Sequence, residues 1–135
     1  MANKGQTKCF KIFNVGRVHK IDKSKIFVFR PKAGKHNLKT TVSIGYVLRD
    51  LLHFADNKKE INYIIKNRDV IVDKKIVKSK NLPIGFYDII EFPKLKKHYK
   101  VTFKENGEIS LIEIPEEETD YKLCKIISKK IIKKG

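Results

Sequence analysis

The chain lacks any long apolar run: its longest stretch without a charged residue, Thr40 to Leu48, holds nine residues and includes Thr, Ser and Gly. A membrane-spanning helix needs about 20 apolar residues, and the N-terminus shows no secretory leader. A soluble, intracellular protein is therefore expected. Cysteine is scarce as well. Cys9 and Cys124 lie far apart and in no CxxC pattern, which leaves a zinc site or a disulfide framework without support. A free thiol in a basic arm and a small buried residue are the states expected of the two. Catalytic constellations are missing too. His19, His36, His53 and His98 are scattered, with His53 reading as a polar flank near a helix end. Asp50, Asp56, Asp69 and Asp88 form no pair at a spacing suited to acid–base work, and each reads as a cap, a turn residue or a local ion partner. Neither catalysis nor a cofactor, metal or small-molecule substrate is expected.

The last shortage is of acidic residues, and it points to a partner. The 135 residues carry 31 Lys and Arg against 15 Asp and Glu, a formal charge of +16. Such an excess favours a polyanion. It is unevenly spread: residues 1–40 carry +10, residues 41–93 only +2, and residues 94–135 carry +4. A basic extension over residues 1–41 that orders against phosphates fits this profile. Gly5, Gly16, Pro31 and Gly34 break it into short pieces, and only Lys25 to Arg30 has a strand pattern.

From Ser43 the period changes. Ile44, Val47, Leu48, Leu51 and Leu52 fall on one face of a helix with Ser43 at its N-cap, weakened slightly by Gly45. A second helix begins at Asn57, where Glu60 completes a capping box. On a helical wheel Ile61, Ile64 and Ile65 share one arc, while Lys58, Lys59, Asn62 and Lys66 share another roughly 130° away. Val70 to Val72 and Lys75 to Val77 form a hairpin turning at Asp73-Lys74, with strain expected at Lys74 where a glycine would sit more easily. Pro83 to Phe86 bends the chain, with Gly85 free to take positive φ, and Tyr87 to Phe92 gives a third strand with Ile89 and Ile90 in the core. A last hairpin turns at Asn106-Gly107 in a type I′ turn, placing Val101 opposite Ile112, Tyr99 opposite Ile114 and Lys100 opposite Glu113. Pro115 to Glu118 reads as an acidic helical turn, followed by a strand-like Tyr121 to Ile127 and a frayed basic end.

The run Asn57 to Lys74 resembles the S4-type RNA-binding module of two helices and a hairpin. That module ends in a Gly-x-Val-x-Val-Asn-Gly strand and turn, and Arg68 and Lys74 stand here at its two glycine positions. Six blocks in order are similar to the archaeal and eukaryotic small-subunit ribosomal protein S4e family: NKG from Asn3, SIGYVLRD from Ser43, ADNKKEINYII from Ala55, VDKKIV from Val72, LPIGFYDII from Leu82 and IPEEETDYKLCKI from Ile114. Lys32-Ala33-Gly34-Lys35-His36 departs from that family's Pro-Gly-Pro-His loop. Members usually continue through the rest of a central β domain and a final small barrel, so this chain is C-terminally short by comparison, and strands left at an edge would need a partner surface. The resemblance implies an α+β fold: a basic extended arm over residues 1–41, an S4-like two-helix corner with a hairpin over residues 42–93, and a small antiparallel β region over residues 94–135 that is part of the family's central domain.

The resemblance also implies binding to small-subunit ribosomal RNA beside neighbouring ribosomal proteins, in the cytoplasm and without a membrane partner. Lys58, Lys59, Asn62 and Lys66 on the second helix, Arg68 and Lys74 at the junction and hairpin tip, and Arg49 and Lys75 nearby are the expected contacts of the folded part. Lys8, Lys11, Arg17, Lys20, Arg30 and Lys35 are those of the arm. An RNA-modifying enzyme would need a separate catalytic domain, for which residues 94–135 leave no room. The competing reading is a free-standing RNA chaperone or accessory module acting outside the ribosome. Tyr63 and Tyr87 could stack on bases, but packing is the simpler expectation for a lone tyrosine.

Overall fold

The computed structural model describes residues 10–11, 18–19 and 27–132. Lys8, Arg17, Lys20, the Cys9 thiol and the Asn3 block lie outside the described residues, as does the Lys11 side chain. Strand β1 (Phe10–Lys11) pairs antiparallel with β2 (Phe27–Val28), the latter inside the strand expected over Lys25 to Arg30.

Strand β3 (Val42–Ser43) leads directly into helix α1 (Ile44–Tyr46). Ser43 caps it as its short polar side chain suggests, Oγ accepting the Tyr46 N–H at 3.2 Å. The helix then widens into a π turn, Val47–Leu51, closed by the Leu52 N–H on Val47 O at 2.9 Å. A 3.6-residue period cannot reveal this widening, because Ile44, Val47 and Leu48 are buried in either winding while Leu51 and Leu52 are only partly covered. Gly45 is no weakness here. Its N–H donates to Lys80 O at 2.8 Å, and a Cβ would stand 3.0 Å from that oxygen and 3.1 Å from the Phe29 ring.

Helix α2 (Lys58–Lys66) follows from its caps. Asn57 Oδ1 accepts the Lys59 and Glu60 N–H groups at 2.8 and 3.1 Å. Glu60 folds back as expected but onto the Asp56 N–H at 2.8 Å, one residue before the cap. Ile61 and Ile65 are buried and Ile64 partly so. At the far end the Arg68 N–H reaches Ile65 O at 3.1 Å and the Asp69 N–H reaches Ile64 O at 3.3 Å. This is a Schellman closure with Arg68 left-handed at φ 56°.

The hairpin β4 (Ile71–Val72) and β5 (Lys75–Ile76) turns through Asp73 and Lys74 at φ 47° and 61°. Both positions where the S4-type module carries glycine therefore hold left-handed backbone, which costs a side-chain-bearing residue about 1–2 kcal/mol. Arg68→Gly is expected to raise stability by roughly 0.5–1 kcal/mol, read as a higher urea midpoint at unchanged slope. Lys74→Gly should show no such gain, because the Lys74 ammonium bridges Glu91 at 3.3 Å and Asp120 at 3.1 Å.

Strand β6 (Pro83–Ile84) pairs with β3, setting Val42 opposite Ile84. Gly85 does not take positive φ; Tyr87 does, at 62°. Gly85 is needed for closeness instead, since a Cβ there would meet the His36 ring at 2.5 Å. The Tyr87 N–H donates to Val101 O and the Val101 N–H to Asp88 O, both at 2.9 Å. Two residues thus face one in a bulge, and regular β7 (Ile89–Phe92) starts later than its sequence pattern suggests. Ile89 and Ile90 are buried as expected.

Strands β8 (Lys97–Phe103) and β9 (Ile109–Ile114) complete an antiparallel sheet of order β5-β4-β7-β8-β9. The expected register is off by one: Tyr99 faces Glu113, Lys100 faces Ile112 and Val101 faces Leu111. The turn is the cause. Only Gly107 is left-handed, at φ 82°, and the Lys104 N–H closes on Glu108 O, so the loop holds three residues instead of two and the pairing shifts. The acidic turn forms over Glu116–Thr119, but Tyr121 to Ile127 is no strand: residues 121–132 are exposed and pair with nothing in a ladder. Among the described residues its β-favouring side chains meet no sheet edge, and a strand exists only by pairing. Cys124 is exposed there, correcting the expectation of a buried cysteine.

Helices and antiparallel strands together make the expected α+β arrangement. One core joins Ile44 and Val47 of α1, Ile61 and Ile65 of α2, and Val72, Ile90 and Val101 of the sheet, and Val18 and Val28 pack into it. Among the described residues no helix is long and apolar enough to cross a membrane.

Candidate nucleic-acid interface

Helix α2 buries its isoleucines and leaves its opposite face to solvent. Lys58, Lys59 and Lys66 are exposed, with Asn62 half-buried beside them. Arg68 and Lys75 are also exposed, at the left-handed exit of α2 and on the outer strand β5. Among the described residues none of these five cations enters an ion pair.

The loop after β5 returns the chain to this face and deepens it into a groove. Lys80 Nζ stands 3.5 Å from Asn62 Oδ1, a long and weak contact. On one side of Lys80 lies a lobe of about 740 Å³, whose lining includes Arg30, Lys32 and Lys58. On the other lies one of about 510 Å³, whose lining includes Lys66 and Lys78. Lys32, Lys80 and Asn81 line both, and among the described residues no carboxylate lines either. The Lys80 ammonium has its pKa lowered, first by burial and then by the positive charge of Lys58. A bound anion would relieve both effects.

The structure separates other expected contacts from this surface. Lys35 pairs with Asp73, and with Asp88 at 2.8 Å. Arg49 clamps Asp50 through Nε and Nη2 and lies over the Phe29 ring at 4.7 Å. Lys74 is spent on Glu91, Asp120 and Thr119 Oγ1. Lys32, Lys78, Lys80 and Asn81 went unmarked in the sequence reading. For Lys78, Lys80 and Asn81 the one signal was the polar Lys78-Ser79-Lys80-Asn81 run after the hairpin, since the hairpin must return the chain toward α2; Lys32 had none.

The carboxylates serve structure. Asp88 is fully buried and accepts from the Gly85 N–H at 3.0 Å, His36 Nε2 at 2.8 Å and Lys122 Nζ at 2.7 Å. Burial alone would raise the Asp73 carboxyl, but hydrogen bonds from Lys35, the Ile89 N–H and Lys122 outweigh it and lower its pKa from 3.8 to about 2. Because the folded value lies below the unfolded one, this contribution to stability is present above about pH 4 and fades as pH falls toward 2. Asp69 meets Lys94 at 2.8 Å. His19 is buried edge-on against Tyr46 at 4.7 Å, and burial, opposed by the charge of Asp50, lowers its pKa to about 4. Among the described residues no three His, Cys, Asp or Glu side chains gather as metal ligands.

Along its whole length the chain is 37% identical to the small ribosomal subunit protein eS4 of Methanosphaera stadtmanae, covering 56% of that relative. The chain is similar to the ribosomal S4e family. A model of that family matches residues 95–135. The eS4 protein of Methanocaldococcus jannaschii is 38% identical over 109 residues, which are 81% of this chain and 44% of that relative. The chain thus spans about half the length of the curated S4e relatives it matches. The crystal structure of the 30S ribosomal protein S4e from Thermoplasma acidophilum superimposes with a TM-score of 0.56 at 32% identity, over 69% of this chain and 47% of that one.

Proposed function

We propose that this chain is a structural, non-catalytic constituent of the small ribosomal subunit in the cytoplasm, held there by ribosomal RNA and neighbouring ribosomal proteins. The relatives are named as small-subunit proteins, and the observation that carries the reading here is the surface around α2. Lys58, Lys59, Lys66, Arg68 and Lys75 form an exposed ridge, and among the described residues the groove beside it is lined by cations with no carboxylate. Ammonium groups without internal partners release counterions when they meet phosphates, and this dominates affinity for nucleic acid. In this reading residues 1–41 are the basic extension, residues 42–93 the RNA-binding domain and residues 94–135 part of the central β domain.

Sedimentation separates this reading from that of a free-standing RNA chaperone. The protein is expected to stay with the small subunit in gradients at salt high enough to strip loose binders, and crosslinks from α2 are expected to map to fixed ribosomal RNA positions. Release into the soluble fraction with dispersed crosslinks would favour the chaperone.

A further inference from the structure

The larger lobe beside Lys80 is mixed in chemistry. Its lining combines the apolar side chains of Phe29 and Leu38 with the ammonium groups of Lys58 and Lys80. Leu38 is a large apolar side chain left 42% exposed at this place. The Phe29 ring is held by the Arg49 guanidinium, itself fixed by Asp50. A paired RNA helix keeps its bases stacked inside and can offer such a groove only phosphate and ribose. An unpaired nucleotide offers a base face and an adjoining phosphate together, which aromatic or apolar surface and nearby cations can take at once.

We propose that this lobe is a single-strand site, taking one unpaired nucleotide of RNA with its base against Phe29 and Leu38 and its phosphate between Lys58 and Lys80. The site rests on the RNA-binding reading above and narrows it to a class of RNA. Three observations converge on it. The volume of about 740 Å³ falls within the range of pockets that enclose small ligands, roughly 300–1,000 Å³. Among the described residues the Lys80 ammonium has only the 3.5 Å contact to Asn62 Oδ1 to hold it, which leaves it available to a ligand. Lys58 and Lys80 repel each other in the free protein, a repulsion that a phosphate between them would reverse. The exposed ridge of Lys59, Lys66 and Arg68 remains suited to the backbone of either paired or unpaired RNA.

Two blunt-ended RNA duplexes of equal length and charge, one fully paired and one with a short internal bulge, provide the test by fluorescence anisotropy on the full chain. The bulged RNA is expected to bind at least about tenfold more tightly. Lys80→Met is expected to weaken binding of both RNAs, the bulged one by about tenfold more, so that the preference is lost. Leu38→Asp is expected to do the same by placing a carboxylate where the base would lie. Leu38 is exposed, so this second variant decides the matter if Lys80→Met melts early. Equal affinity of the unsubstituted protein for the two RNAs would overturn the single-strand site, as would an equal loss for both in Lys80→Met, yet either leaves the ridge reading standing. Failure to bind both RNAs would overturn the ridge reading itself, and the single-strand site with it.

Discussion

Replacing Lys58, Lys59 and Lys66 together with Glu is expected to lower affinity for ribosomal RNA on the order of 100-fold or more near 0.1 M salt, with the fold unchanged. The size follows from charge. Three ammonium–phosphate contacts vanish and three repulsive carboxylates replace them, so the slope of log affinity against log salt should become shallower by about 2 to 3. Folding should survive for reasons local to α2. All three side chains are exposed, and the helix is closed by Asn57 and Glu60 at one end and by the backbone bonds of Arg68 and Asp69 at the other. Glu suits positions 58 and 59, at the positive end of the helix dipole, and suits position 66 less, so the net effect on stability should be a few tenths of a kcal/mol. Circular dichroism and a binding titration over salt check both halves. Unchanged affinity and slope would remove α2 from the interface.

Asp88→Ala is expected to destabilise the protein by about 3–5 kcal/mol, lowering Tm by more than about 10 °C. Asp88 is fully buried and holds three separate segments. The Gly85 N–H fixes the bulge before β7, His36 and Lys35 bring in the loop before α1, and Lys122 brings in the chain after β9. Alanine would leave a backbone donor and as many as three cations around a site with no acceptor, and unpaired buried polar groups are costly. Asp88→Asn keeps an acceptor for Gly85 but loses the charge, so a smaller loss is expected. A thermal melt of the three proteins orders them wild type, Asn, Ala. Equal melting would mean that the network adds nothing beyond packing.

The same residues show what pattern reading reached and where it stopped. Ser43, Asn57 and Glu60 announced both helix starts because capping is a contest between neighbours in sequence, won by short polar side chains. The positive φ of Lys74 was legible too, since a two-residue hairpin turn imposes it on any residue. The β8–β9 register was not. Asn106-Gly107 serves a two-residue or a three-residue loop, and that choice moved every pair by one. Gly85 was correctly marked as special for the wrong reason, because its neighbour His36 is 49 residues away in the chain and no local pattern brings them together.

The candidate interface divides in the same way. Lys58, Lys59 and Lys66 were placed together by helical period alone, whereas Lys35, Arg49 and Lys74 looked equally cationic until long-range pairing with Asp73 and Asp88, a bond to adjacent Asp50, and Glu91 with Asp120 occupied them. Lys32, Lys78 and Lys80 gained their place only when the hairpin folded back beside α2.

The amino-acid sequence by itself determined the charge excess, the helix caps, the amphipathic face of α2 and the turn at Asp73 and Lys74, since each depends on residues a few positions apart. Tertiary structure alone decided which cations remain available, where the chain needs a missing Cβ, and that a lobed groove forms around Lys80. Those outcomes depend on distances between segments far apart in the chain, and short-range periodicity carries no information about them.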